Sequence, residues 1–261
     1  MRRCQENGLI YYRFDLFQPY PRLAHGVFTR HGGVSGPPCQ GLNMGFVPED
    51  RVESVRLNMG RAAETLGFDR LTFVGQVHGD RALVVRAAGD YRPRYPDEVM
   101  SGYDALITPD PEVGLLIKLA DCQGVILFDP RSDTLAVVHA GWRGSVRNIL
   151  GRTVARMARE FSVCPEDLLA GIGPSLGPCC AEFIHFETEL PRAFQAYRTG
   201  NHFDFWAISR DQLIAAGLLE RNIEIGGLCT KCGPEGFYSY RREGVTGRFG
   251  LIAGLRNGHG V

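Results

Sequence analysis

One stretch, Leu135-Ala-Val-Val-His139-Ala-Gly141-Trp142-Arg143-Gly144, constrains the fold of this chain more than any other. Its first four residues are apolar and of strand type. Beyond it, apolar residues recur at Val146, Ile149, Leu150, Val154, Met157, Ala158 and Phe161, the spacing of one buried helix face. A strand that turns into a helix within six residues leaves unpaired backbone N–H groups at the turn, which suit an anion. Glycines at that turn let the backbone come close to a ligand. An ordinary tight turn with a core histidine accounts for the same pattern.

Further short apolar segments lie on either side. The chain opens with a strand and turn over residues 8–20, followed by a strand from His25 that breaks into a glycine- and proline-rich loop. Residues 51–66 carry the period of a helix, with Gly67 as its stop. Strands are expected over 71–77, 82–85, 103–108 and 114–119. A hairpin is expected from 125–128 and 135–138, and another strand over 168–172. Residues 89–102 are polar with two prolines and read as a loop. A helix is expected from Ser209 to Leu219, with Ser209 as its cap. Strands alternating with helices make this a mixed α/β chain, and no repeat or linker divides residues 1–261.

Charge narrows the function classes. Lys+Arg and Asp+Glu both number 29, so the net charge is zero, which argues against nucleic acid or another extended polyanion as partner. No apolar run reaches the length of a membrane span, and the N-terminal residues lack the apolar core of a secretion signal, so the reading is a soluble cytoplasmic protein. In such a protein the eight cysteines are free thiols or metal ligands rather than disulfides.

His78, Cys122 and His139 share one context, because each directly follows an apolar strand-type segment. Strand ends at one edge of a sheet would bring the three together. Two imidazoles and a thiolate make a zinc set, and three protein ligands leave a fourth position for water or substrate. Chance scatter over residues 78–139 is the competing explanation. Cys229-Thr-Lys-Cys232 is half of a structural zinc site or a redox pair, and Cys179-Cys180 is a buried turn pair or a redox pair. Arg30, Arg143, Arg241 and Arg242 flank glycine-rich loops, as phosphate-binding or simply solvated arginines.

Taken in order, several blocks resemble the laccase-domain family, also described as multicopper polyphenol oxidase, peptidoglycan-editing factor and purine nucleoside phosphorylase. They are His25-Gly-Val-Phe-Thr-Arg-His-Gly-Gly-Val-Ser, Leu42-Asn-Met-Gly45, Gln76-Val-His-Gly79, Ala120-Asp-Cys122, Val138-His-Ala-Gly-Trp-Arg-Gly144, Gly173-Pro-Ser-Leu-Gly-Pro-Cys-Cys180 and Ser239-Tyr-Arg-Arg242. The match runs over about residues 22–255. It implies a single-domain, mixed-sheet α/β sandwich resembling the cysteine hydrolases of cytotoxic-necrotizing-factor type. It also implies a zinc site of His78, Cys122 and His139, with copper as the alternative ion.

The activity implied is phosphorolysis of adenosine, inosine, guanosine and methylthioadenosine, together with deamination of adenosine. The partners are then small molecules, a purine nucleoside and phosphate. In this reading Cys122, His139, His78 and Asp121 are catalytic, Asp121 as proton relay or as the carboxylate orienting a histidine. Arg30, Asn43 and Arg143 contact substrate and phosphate, helped by the helix start after Gly144. The alternatives are a metal-free cysteine hydrolase or amidase acting on cell-wall precursors, with Cys122 as nucleophile and His139 as base, and a copper oxidase. Copper electron transfer needs many histidines, and the chain has seven.

Overall fold

Strands that are apolar at every position need cover on both faces. The computed structural model, which describes residues 1–86, 98–233 and 236–257, supplies that cover by stacking two six-stranded sheets between helices. In chain order the strands of these two sheets are β1 (Arg2–Glu6), β2 (Leu9–Arg13), β3 (Leu23–Phe28), β4 (Leu71–Thr72), β5 (Ala82–Val84) and β6 (Ala105–Thr108). There follow β7 (Gly114–Leu119), β8 (Gln123–Asp129), β9 (Thr134–Ala140), β10 (Leu169–Ile172), β11 (Ile223–Ile225) and β12 (Phe249–Leu255). One sheet runs β1-β2-β3-β12-β7-β4 and the other β11-β10-β8-β9-β6-β5. Both are mixed, mostly antiparallel, with parallel pairs at β4/β7, β5/β6 and β10/β11.

Side-chain alternation assigns the layers. Ile126 and Phe128 of β8 and Leu135 and Val137 of β9 meet Ile117 and Leu119 of β7 and Leu251 of β12 between the sheets. From the same strands, Val125, Leu127, Ala136 and Val138 face the other way, onto Ile149, Leu150, Val154 and Met157 of a helix. The opposite outer face packs Leu116 and Ile252 on Val55, Met59, Ala62 and Ala63 of α1 (Val52–Thr65). Four layers result: helix, sheet, sheet, helix.

Three elements differ from the sequence expectation. The long helix after Gly144 is two helices, α2 (Trp142–Val146) and α3 (Ile149–Phe161). Asn148 separates them in the left-handed region at φ 55°, where its side chain accepts the N–H of Gly151 and caps α3. Val146, expected in the core, is therefore exposed. Only Leu71–Thr72 of the 71–77 segment pairs as strand. The helix expected from Ser209 starts earlier, as α4 (Phe205–Ala215), because Asp204 rather than Ser209 accepts the Ala207 N–H. Ser209 is instead buried and donates to Gln123 Oε1. The loop expected over 89–102 lies mostly outside the described residues. Among those described, no helix is long and apolar enough to cross a membrane.

The cap assignment has a measurable cost. Asp204→Ala lowers unfolding free energy by about 1 kcal/mol in urea titration. An unchanged midpoint would place the start of α4 elsewhere.

Candidate active site

Hairpin geometry brings two distant residues to one place. Strands β8 and β9 pair antiparallel with Gly124 opposite His139, so Cys122, just before β8, lies at the same end as His139. Cys122 also sits in the crossover from β7 to β8, where Asp121 adopts φ 85° to swing the chain from one sheet to the other. His78 arrives on an irregular segment alongside β7. There the Gln76 side chain replaces strand pairing, accepting Lys118 N–H at 2.9 Å and donating to Lys118 O at 2.9 Å. The ring nitrogens of His78 and His139 and the sulfur of Cys122 lie within 4.8 Å of one another.

Asp104 holds this cluster, and no spacing pattern in the sequence singles it out. Ala105 pairs with Val138, which sets Asp104 opposite His139, and the His139 N–H bonds Asp104 O at 2.7 Å. The Asp104 carboxylate accepts His139 Nδ1–H at 2.8 Å and the backbone N–H groups of Val77, His78 and Gly79. One carboxylate with no solvent exposure thus fixes both histidines. Burial would raise its pKa, but the bonds from His139 and the amides outweigh burial and hold it below the ordinary value. Committing Nδ1 to Asp104 leaves His139 Nε2 facing the cluster.

Electrostatics then favour a thiolate. Burial alone would raise the Cys122 thiol, yet His139 and then His78 beside the sulfur bring it down to about 6. His139 moves oppositely: burial would lower it, while Cys122 and Asp104 raise it to about 9. A glycine makes room for the group. A Cβ on Gly141 would come within 2.7 Å of His78 Cδ2 and 3.0 Å of Cys122 Sγ. Two imidazole nitrogens and a thiolate this close together are a donor set that suits a single metal ion, zinc among them.

That cavity measures about 760 Å³, ample for a nucleoside-sized molecule. Phe46, Phe73, Trp142, Phe183, Phe205 and Tyr240 contribute aromatic wall. Lys118, Arg143, Arg241 and Arg248 contribute charge, against Asp121 as the one carboxylate in the described lining. None of the four cations is ion-paired to a carboxylate among the described residues. Arg143 lies 4.2 Å over the Trp142 ring, and burial, with Arg248 nearby, brings the Lys118 ammonium down to about 8. Lys118 and Arg248 go unnoticed in the sequence because only the pairing of β12 with β7 makes them neighbours.

Several expected residues have other partners. Asp121 lines the cavity, but one oxygen accepts Thr230 Oγ1–H at 2.7 Å and the other Arg241 N–H at 2.6 Å, so the carboxylate orienting a histidine is Asp104. Arg30 bonds Glu243 at 3.0 Å and covers the Tyr238 ring. Asn43 is buried, donating to Gly45 O and Asp50 and accepting from Arg248 N–H. Neither lines the cavity. The helix expected to present its start after Gly144 begins at Trp142 and is five residues long, too short for an appreciable dipole, so the positive potential comes from side chains.

Fold and site together define an α/β sandwich enzyme class with a His–Cys–His cluster under a cationic, aromatic-walled cavity. The chain belongs to the family described as multi-copper polyphenol oxidoreductase laccase, which matches residues 24–256. A protein of Bacteroides thetaiotaomicron named purine nucleoside phosphorylase is 31% identical over 256 residues, covering 93% of this chain and 94% of its own. One of Xylella fastidiosa with the same name is 36% identical over 234 residues, 85% of this chain and 87% of its own. The crystal structure of YlmD from Geobacillus stearothermophilus superposes with a TM-score of 0.86 at 30% identity, over 98% of this chain and 99% of that one.

The lowered thiol gives a pH prediction. In chelator-treated protein, iodoacetamide labelling of Cys122, followed by peptide mass spectrometry, rises with a midpoint near pH 6. His139→Ala removes the stabilising partner and moves that midpoint up, toward the ordinary thiol value of about 8.5. A midpoint indifferent to the substitution would contradict the pairing.

Proposed function

We propose that the chain is a zinc-dependent purine nucleoside phosphorylase acting on adenosine, inosine, guanosine and methylthioadenosine, and that the same centre deaminates adenosine. One observation carries the reading: four cations with no carboxylate ion pair among the described residues, and an aromatic wall, converge on His78, Cys122 and His139. Relatives along nearly the whole chain bear the name purine nucleoside phosphorylase, which supports it.

His78, Cys122 and His139 would hold the ion. Bound there, zinc supplies a Lewis acid at the cavity floor and acidifies water toward neutral pH. Lys118, Arg143, Arg241 and Arg248 hold phosphate and offset its charge as it nears the ribose. A phosphate oxygen bonds to the anomeric carbon while the carbon–nitrogen bond to the base breaks. The bonding pair leaves with the purine, which takes up a proton from solvent, giving ribose 1-phosphate and free base. The aromatic side chains stack on the purine and keep its face dry. In deamination, water replaces the exocyclic amine and ammonia leaves. Asp121 positions Arg241 through its backbone N–H, and Asp104 keeps the histidines in register.

A second reading has its own support. Cys122, His139 and Asp104 line up as nucleophile, base and orienting carboxylate, the arrangement a cysteine hydrolase or amidase acting on cell-wall precursors would use, with no metal.

Product analysis on adenosine and inosine, with and without phosphate, tests the proposal. The expected products are adenine or hypoxanthine with ribose 1-phosphate, dependent on phosphate and lost in Cys122→Ala. Arg143→Ala raises KM for phosphate roughly 10- to 100-fold, the worth of one charged hydrogen bond. Lys118 is charged below its pKa of about 8 and neutral above it, so KM for phosphate climbs above pH 8, and Lys118→Met flattens that climb. Nucleosides left intact, with chelators having no effect on a thiol-dependent amidase activity, would favour the cysteine hydrolase.

A further inference from the structure

Two cysteine pairs distant in sequence, Cys179–Cys180 and Cys229–Cys232, meet beside the cavity wall. Their meeting follows from sheet topology. Strands β10 and β11 pair in parallel, with Ile172 opposite Ile225, so both chains leave the sheet at the same end. The departing loops stay side by side: Gly226 N–H bonds Ile172 O at 2.8 Å, Ser175 N–H bonds Leu228 O at 3.1 Å, and Thr230 N–H bonds Ser175 O at 3.0 Å. Four sulfurs end up within 4.8 Å of one another, those of Cys179 and Cys232 at 3.4 Å, and all four cysteines are free.

We propose that Cys179, Cys180, Cys229 and Cys232 form a second metal centre, a tetrathiolate site for one zinc ion that is structural rather than catalytic. In a zinc tetrahedron with sulfurs about 2.3 Å from the ion, neighbouring sulfurs are roughly 3.8 Å apart, so the cluster needs only small movements to close on an ion. Sulfurs this close enclose one ion and leave no room for an iron–sulfur cube. Backbone amides converge on one of the sulfurs. Gly177 N–H reaches Cys229 Sγ at 3.4 Å, and the amides of Lys231 and Cys232 turn to the same sulfur. That Cys-x-x-Cys turn closes with Gly233 N–H on Cys229 O at 2.8 Å, where any Cβ on Gly233 would collide with the Cys229 carbonyl. Arg242 lies against the turn, donating to Thr230 O and Lys231 O at 2.8 Å while pairing with Glu243 at 2.7 Å, which braces the backbone that carries Cys229 and Cys232. On binding, the thiols release their protons to solvent.

The centre clamps the cavity wall. The same loops carry Leu176, whose N–H bonds Asp121 O at 2.8 Å, and Thr230, whose hydroxyl bonds the Asp121 carboxylate. An ion here holds those loops against the crossover that carries Cys122, whatever the catalytic reaction is.

The test is metal content and cobalt spectroscopy on the full chain, purified under reductant without added metal. Cys122→Ser removes the ligand set at the cavity floor and leaves the tetrathiolate. Reconstituted with cobalt(II), this variant shows intense sulfur-to-metal charge-transfer bands and tetrahedral ligand-field bands, which vanish when Cys232→Ser is added. Zinc content falls by one per chain on Cys232→Ser in either background. In wild type, a mercurial titration that releases two zinc ions per chain, one more than the Cys122 site can hold, gives the same answer without relying on any variant's folding. A Cys179–Cys232 disulfide, iron in place of zinc, or four thiols that titrate freely with no metal released would overturn the proposal.

Discussion

The buried hydrogen bond from His139 to Asp104 is the contact on which the site depends. A carboxylate with no solvent exposure persists only when its oxygens are fully bonded. Here the imidazole and three consecutive backbone amides satisfy them. Because the amides belong to Val77, His78 and Gly79, the bonds that make the burial tolerable also deliver His78 to the cluster. The strand register opposes Asp104 to His139, and the hairpin of β8 and β9 opposes His139 to the entry of Cys122. Two ladders and one carboxylate therefore set three donors at fixed separation before any ion arrives.

Around that centre the chain concentrates charge that it does not carry overall. With 29 basic and 29 acidic residues the molecule is neutral, yet the described cavity lining holds four cations and one carboxylate. Aromatic rings lie against three of these cations: Arg143 covers Trp142, Lys118 lies over Phe73 and Arg241 over Phe183. The result is attraction for a small anion at one place without the broad positive surface that would draw polyanions.

The three cluster residues are legible in sequence because each follows an apolar segment, although His139 lies within β9 and His78 on the irregular stretch after β4. Asp104 is not, since a lone aspartate heading an apolar strand looks like any other strand boundary until the register shows what it faces. Lys118 and Arg248 escape for the same reason: sheet order, not spacing, makes them neighbours. Arg30 and Asn43 stand apart from the cavity lining. Each sits in a glycine-rich loop of the kind that binds phosphate, but the fold uses Arg30 to anchor Glu243 and Asn43 to tie residue 45 to residue 248. Similarly, each cysteine pair looks incomplete when read alone, and only the parallel pairing of β10 with β11 completes the set of four. The helical period after Gly144 is right for the buried face of α3 but hides the left-handed break at Asn148.

Anomalous scattering at the zinc edge, from crystals of the protein grown with phosphate, tests the central claim most directly. The expected result is an ion bounded by His78, Cys122 and His139, with His139 Nδ1 still on Asp104 and an anion held among Lys118, Arg143, Arg241 and Arg248. A cluster that holds no ion in zinc-replete protein, or an ion bound through His139 Nδ1 with Asp104 released, would contradict the account.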